Sequence, residues 1–263
     1  MVYNQPQTKK RPGTRHAIIA LAAIAQLWST ALLATEDTEE SDAPAPWDVG
    51  LTLGVTQSPF LGGKTSLSIS PTRLKHGGLR LNGFAWPVYH QPAFSFYLGA
   101  GLDEWNYERG DSDELSDMKE LDRAINARIG IATELANGWA TAEVAKDLAG
   151  AHEGMQAKFR YTTSLGSDSH EIRPYMEVQW LSEELTDYYV GVDSDEVATD
   201  RPQYQADAEL ALKAGVDYRH KLTDSFTLLG GLHMTRYGEE ISDSPIIENE
   251  MIWGVNMGLT YRW

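Results

Sequence analysis

From residue 47 to the C-terminus, apolar and polar positions alternate with a period of two, the spacing of a β-strand whose faces meet different surroundings. In the last segment Met251, Trp253, Val255, Met257, Leu259, Tyr261 and Trp263 share one face, while Ile252, Gly254, Asn256, Gly258, Thr260 and Arg262 share the other. The same alternation runs through Trp47–Val55, Phe94–Leu102, Ile125–Ile131, Met155–Thr163, Ile172–Trp180, Ala208–Tyr218 and Phe226–Met234. Strands are predicted near 47–57, 64–73, 78–88, 93–103, 124–135, 138–148, 154–165, 170–181, 205–220, 224–236 and 250–263. At roughly 18 residues per strand with its connection, this stretch accommodates about 12 strands, with 10 as the other even count. One strand is therefore merged or missed, and the place for it is between 64 and 93.

A soluble sandwich alternates in the same way, so connection lengths decide between the two. Short turns at Ala136-Asn137-Gly138, Gly166–Ser169 and His220–Ser225 alternate with longer acidic loops at about 103–124, 182–204 and 237–249. Short turns at one end and long loops at the other are the pattern of an all-β, transmembrane, antiparallel up-and-down β-barrel of the outer membrane. Trp139, Trp180, Tyr218, Tyr237, Tyr261 and Trp263 fall near strand ends, where a membrane–water girdle is expected.

The N-terminus supplies the means of export. Lys9, Lys10, Arg11 and Arg15 precede the apolar run Ala17–Trp28, which is too short to span a bilayer, and Ser29, Ala31 and Ala34 follow as small residues. This predicts a signal peptide over 1–34, cut after Ala34 or, as the alternative, after Ala31. Residues 35–46 are acidic and proline-bearing and are expected to form a flexible periplasmic lead-in, leaving 47–263 for the barrel. Removing the four basic residues of the signal from the chain's 22 leaves 18 against 38 acids, a formal charge of −20. Such a surface argues against nucleic acid as a partner. The chain has no cysteine, so neither disulfides nor thiolate chemistry contribute.

Several local sequences resemble the MipA/OmpV family of outer-membrane proteins, named after an MltA-interacting protein. Gln57-Ser58-Pro59-Phe60-Leu61-Gly62-Gly63 is similar to the family's first loop, and Ile69-Ser70-Pro71 to its next, proline-bearing strand. Asp147-Leu148-Ala149-Gly150-Ala151-His152-Glu153-Gly154 resembles its Asp-Leu-x-Gly-x-His-x-Gly loop. Tyr188-Tyr189-Val190-Gly191-Val192 matches its Tyr-Tyr-x-Gly-Val loop, Ser244-Pro245-Ile246-Ile247 a Ser-Pro element, and Gly258–Trp263 the terminal strand. Two features depart from the pattern: Trp263 replaces a terminal Phe, and the loop 103–123 is more acidic and lacks the expected glycines. The resemblance implies a non-catalytic scaffold that joins a lytic transglycosylase to a peptidoglycan synthase, in a membrane of lipid and lipopolysaccharide. It also implies that Tyr261 and Trp263 form part of the assembly signal.

The residues themselves point to no catalytic, cofactor or metal site. His233 falls on the lumen register beside Thr227 and Thr235, where a lone imidazole is expected to be a satisfied interior group. His152 and Glu153 are adjacent, an arrangement that rarely converges on one metal, so a loop-geometry role is expected. Asp111–Asp117 lacks the glycine and the spaced Glu of a calcium loop and reads as a solvated acidic loop. Charges of both signs at similar numbers on the inner register predict a paired, filled or narrow lumen and a binding role. A narrow small-solute channel and a surface adhesin or receptor are the alternative functions.

Overall fold

The computed structural model describes residues 47–75, 80–103, 105, 109, 112–167 and 169–262. The expected signal peptide and lead-in, Asp111 and Trp263 lie outside the described residues.

Thirteen strands form one antiparallel sheet: β1 (Trp47–Thr56), β2 (Ser66–Lys75), β3 (Arg80–Asn82), β4 (Phe84–Gln91), β5 (Phe94–Leu102), β6 (Ile125–Leu135) and β7 (Gly138–Asp147), then β8 (Met155–Thr163), β9 (Leu165–Gly166), β10 (His170–Leu181), β11 (Glu209–Lys221), β12 (Phe226–Arg236) and β13 (Met251–Tyr261). Two helices, α1 (Glu183–Val190) and α2 (Glu239–Ser242), lie in the connections after β10 and β12. The two-residue β9 only extends the edge of β10, so twelve strands make the wall. The first and last strands pair in register from Val49 with Tyr261 to Thr56 with Gly254, and the two ends of the sheet path, β3 and β4, are consecutive in the chain, so the sheet forms a nearly closed barrel.

Most wall strands are 8–13 residues long, enough for a tilted strand to cross the hydrocarbon of a bilayer. Alternation then decides which side chains meet lipid. Leu51, Leu53 and Val55 of β1 oppose Leu259, Met257 and Val255 of β13 and stand outward and exposed. Asp48, Thr52, Thr260, Thr227 and Arg219 alternate with such residues and are buried inside. No helix among the described residues is long and apolar enough to cross a membrane.

The strand missing from the sequence pattern lies where the chain between 78 and 88 reads as one segment. That segment is two strands, β3 and β4, which run in opposite directions about Gly83. Gly83 has φ 71, a conformation favouring a residue without Cβ, and its N–H bonds the carbonyl of Pro71 at 2.8 Å. Connections at 92–93, 136–137, 164–169 and 222–225 share one end of the barrel with the start of β1 and the end of β13. The connections 57–65, 103–124, 148–154, 182–208 and 237–250 share the other. By the rule that short turns are periplasmic, the long connections face outward from the cell.

Two of the expected girdle aromatics are elsewhere. Trp139 points inward into a buried cluster with Ala85, Tyr97 and Ala132, because it sits opposite Glu134 on the inner register. Tyr237 packs against the apolar cluster formed by the outer connections. Tyr218 and Tyr261 do stand outward, Tyr261 against Phe226 with ring centroids 5.1 Å apart.

Candidate functional site: the outer cap and the lumen

The outer connections fold against one another. Phe60 from the first, Leu115 and Met118 from 103–124, Leu185, Tyr189 and Val190 of α1, Val192 and Ala206 beyond it, and Ile241 and Ile246 from the last form one buried cluster. Trp105 stacks on Tyr189 at 5.3 Å and tilts against Tyr237 at 5.2 Å. Connections that leave the wall at separate points of its circumference meet only by crossing the mouth, so this cluster is a cap with its own apolar core. Within 111–117 the described acids Asp113, Glu114 and Asp117 are exposed, as expected of a solvated acidic loop, but the loop is also anchored. Ser112 and Leu115 are fully buried, and Asp117 is held by Arg201 at 2.5 Å, because an apolar residue every few positions gives this acidic stretch a face to bury. The loop 182–204 likewise contains a helix, α1, anchored by Leu185, Thr186, Tyr189 and Val190.

Polar contacts fix the cap. Arg109 bonds Glu196 at 2.7 Å with both side chains 4% exposed, and the same Glu196 oxygen accepts the Lys119 N–H at 2.9 Å. Lys119 bridges Asp193 and Asp195 on the surface. Burial, then the charge of Glu240, pushes the Tyr204 phenol up to about 12, so it stays a donor to the Glu240 carbonyl.

The family-motif residues gather in and under this cap. Ser58 Oγ accepts the Phe60 N–H at 3.2 Å, and the Pro59 carbonyl accepts those of Glu248 and Asn249. Gly62, with φ 61, donates to Glu248, and a Cβ there would run into the Glu114 carboxylate. Ser244 Oγ donates to the Val190 carbonyl at 2.6 Å, and next to Pro245 the buried Ile246 receives the Leu61 N–H. Gly191 donates to the Asp187 carbonyl at 2.7 Å and lacks room for a Cβ there.

Asp147 organises the remaining motif loop by accepting the N–H groups of Ala149, His152 and Glu153 at 2.8, 2.9 and 3.0 Å. These bonds hold Glu153 at φ 55, close after Gly150 at φ 77. His152 Nδ1 accepts the Gly154 N–H at 2.9 Å, which leaves the proton on Nε2, 3.3 Å from Asp103 Oδ2. The ring is buried against Tyr188 and Tyr189, and Tyr189 also donates to Asp103. Tyr188 donates to the Asp122 carbonyl at 3.0 Å. Asp103 then accepts from Gln156, which accepts from Gln179 at 2.6 Å, so the network runs from the cap into the lumen. Asp103, Gln156 and Gln179 join this network although the sequence motifs do not mark them, since single polar residues on an inner register carry no signature.

Below the cap the lumen wall is charged and paired across strands. Arg160 meets Glu177 at 2.7 Å, Lys213 meets the same Glu177 at 3.7 Å, and Arg219 meets Glu171 at 3.0 Å. Arg262 clamps Asp48 at 2.6 Å near the periplasmic rim. Tyr97 lies over Gly130 and Tyr175 over Gly215, where a Cβ would clash with either ring, and the Arg160 guanidinium lies 4.0 Å from the Tyr175 ring. His233 sits inward against Gly254.

An outward apolar belt, a charged interior, short periplasmic turns and long outer connections define an outer-membrane β-barrel. Within that class the chain belongs to the family described as MltA-interacting protein MipA, which it matches over residues 49–263. Outer membrane protein Omp26La of Vibrio anguillarum is 19% identical over 169 residues, covering 64% of this chain and 65% of that protein. Outer membrane protein OmpV of Vibrio cholerae serotype O1 is 22% identical over 156 residues, covering 58% and 61%. The chain thus matches a little under two thirds of the length of these relatives. An outer membrane channel from Pseudomonas putida F1 superposes with TM-score 0.42 at 12% identity, covering 88% of this chain and all of that one. The outer membrane channel DcaP of Acinetobacter baumannii gives 0.32 at 8% identity, covering 86% and all of that chain.

Proposed function

We propose that the protein is a non-catalytic, non-conducting binding barrel that presents its periplasmic face to enzymes of peptidoglycan synthesis and hydrolysis. One observation carries the reading. The mouth is roofed by a cap with an apolar core that a solute path would have to break, and ion pairs between neighbouring strands line the wall beneath it. The imidazole best placed for acid–base work, His152, already accepts a backbone N–H at Nδ1 and has no lone pair left to abstract a proton. The partner class comes from the family's description and is tested directly. In planar bilayers the refolded protein is expected to give no steady current steps. From detergent extract it is expected to capture a lytic transglycosylase and a peptidoglycan synthase, less so as salt rises and less so when Glu36, Asp37, Glu39, Glu40 and Asp42 are neutralised together. Capture lost on shortening the 182–205 connection but kept by the lead-in variant overturns the scaffold in favour of an outer receptor or adhesin.

A second reading, a narrow small-solute channel, is favoured by the charged rather than apolar wall. Regular current steps from the intact protein would establish it.

A further inference from the structure

The barrel wall has a seam. Because β3 is only three residues long, it covers β2 from Thr72 to Leu74, and the Gly83 N–H reaches Pro71. Toward the outer end, Ser66–Ser70 of β2 have no backbone partner on that side among the described residues. Gly101 and Leu102 of β5 likewise extend past the end of β4. The flanking strands carry Pro71 and Pro87, and proline in a sheet is confined to edges because it has no N–H to donate. Pro71 adjoins the unpaired stretch of β2 and has no N–H to offer an added strand there.

Side chains give the seam its chemistry. On the lipid face Leu67, Ile69, Phe84 and Trp86 flank the seam, Phe84 at 75% and Trp86 at 62% exposure, and the Arg73 guanidinium stacks 3.5 Å over the Trp86 ring from β2 to β4. On the inner side Arg128 comes forward to the same place. Its Nη2 donates to the Leu102 carbonyl at 3.1 Å, and a Cβ on Gly101 would lie 3.7 Å from it. Arg128 is 10% exposed, its Nε has no hydrogen-bond partner, and Glu143 is 4.0 Å away. One cation partly balanced by a carboxylate suits a single negative charge. A guanidinium this deeply set is reached by a small flat head, not a bulky one.

We propose that the seam is a lateral binding site for a long-chain fatty acid. Its carboxylate meets the Arg128 guanidinium as a forked pair, and its chain lies in lipid along Leu67, Ile69, Phe84 and Trp86.

The test uses the full mature chain refolded in detergent micelles, with dibromostearate as the probe and quenching of tryptophan fluorescence as the readout. Trp86→Phe identifies the signal from the seam. Saturable quenching that Trp86→Phe removes is expected, with its midpoint about tenfold higher in Arg128→Gln. Gly101→Val keeps the charge but fills the space before it, and is expected to lose the saturable component too. Both variants are first checked for the folded band on unheated gels; if Arg128→Gln lacks it, Gly101→Val alone decides. Quenching that rises linearly and equally in wild type and folded variants overturns the proposal. So does saturable quenching by a dibrominated phosphatidylglycerol that displaces dibromostearate at equal concentration, since the site then holds a phospholipid.

Discussion

Asp147 and His152 are five residues apart, and both are occupied by backbone N–H groups. Their motif is legible in sequence as a loop of fixed geometry, and that is the role their contacts support. What could not be read is the partner of His152, because Asp103 is 49 positions upstream and nothing local announces it. The acidic connections show the same limit. Asp117 and Asp195 look alike as sequence, yet Asp117 faces Arg201 and Asp195 faces Lys119, and in each case the hydrogen bond to the cation holds the carboxyl below its ordinary value. A carboxylate with a depressed pKa in the folded state contributes stability that is fully present above its unfolded pKa and is lost as pH falls through the folded one. Cleavage within 103–124 and 191–204 by an acid-stable protease is therefore expected to accelerate as pH drops below about 4. Asp117→Asn is expected to be cut faster at neutral pH and to show a shallower acid response. An acid profile identical to wild type would mean that Asp117 does not latch the cap.

At the scale of elements, period-two alternation located nearly every wall strand, because a residue facing lipid and a residue facing a charged lumen could hardly differ more. It failed where an element is too short to show a period. β3 has three residues, and only the reversal at Gly83 separates it from β4. It failed again for α1, whose apolar residues serve the cap and lie in a stretch read by its charge. The helix is seated on the motif loop at one place: a Cβ on Gly154 would lie 2.6 Å from the Leu185 backbone nitrogen and 2.8 Å from the Leu185 Cβ. Gly154→Val is therefore expected to lift α1 and loosen the cap while leaving the wall intact, an overpacking cost of about 1–3 kcal/mol. Hydrogen exchange is the measurement: faster exchange in 183–192 with unchanged exchange in β10 and β11 is the expected result. Unchanged exchange in α1 would show that the cap does not rest on this contact.

For the molecule as a whole, closure is the property on which the rest depends, since a closed sheet satisfies its own backbone in lipid and an open one does not. Closure between the chain's two ends rests on eight register pairs from β1 to β13 and is finished at the periplasmic rim by Arg262, which donates to both carboxylate oxygens of Asp48 at 2.6 and 3.2 Å. The Arg262 N–H also bonds the Ser225 carbonyl at 2.8 Å, so the terminal strand is tied to its neighbours on both sides. A barrel joined in this way should resist SDS until heated, with the unheated and boiled chains running at different positions on a gel. Asp48 is buried, and removing it leaves the guanidinium without its forked acceptor, a loss on the order of 2 kcal/mol. Asp48→Ala is expected to keep the fast-migrating band when unheated but to lose it at a lower temperature than wild type, and Asp48→Glu to recover part of the difference. If wild type runs at one position with or without boiling and its circular dichroism is mainly helical, the barrel itself is wrong. If Asp48→Ala melts with wild type, the seam between β1 and β13 is held by its backbone ladder alone, and the rim clamp contributes nothing to closure.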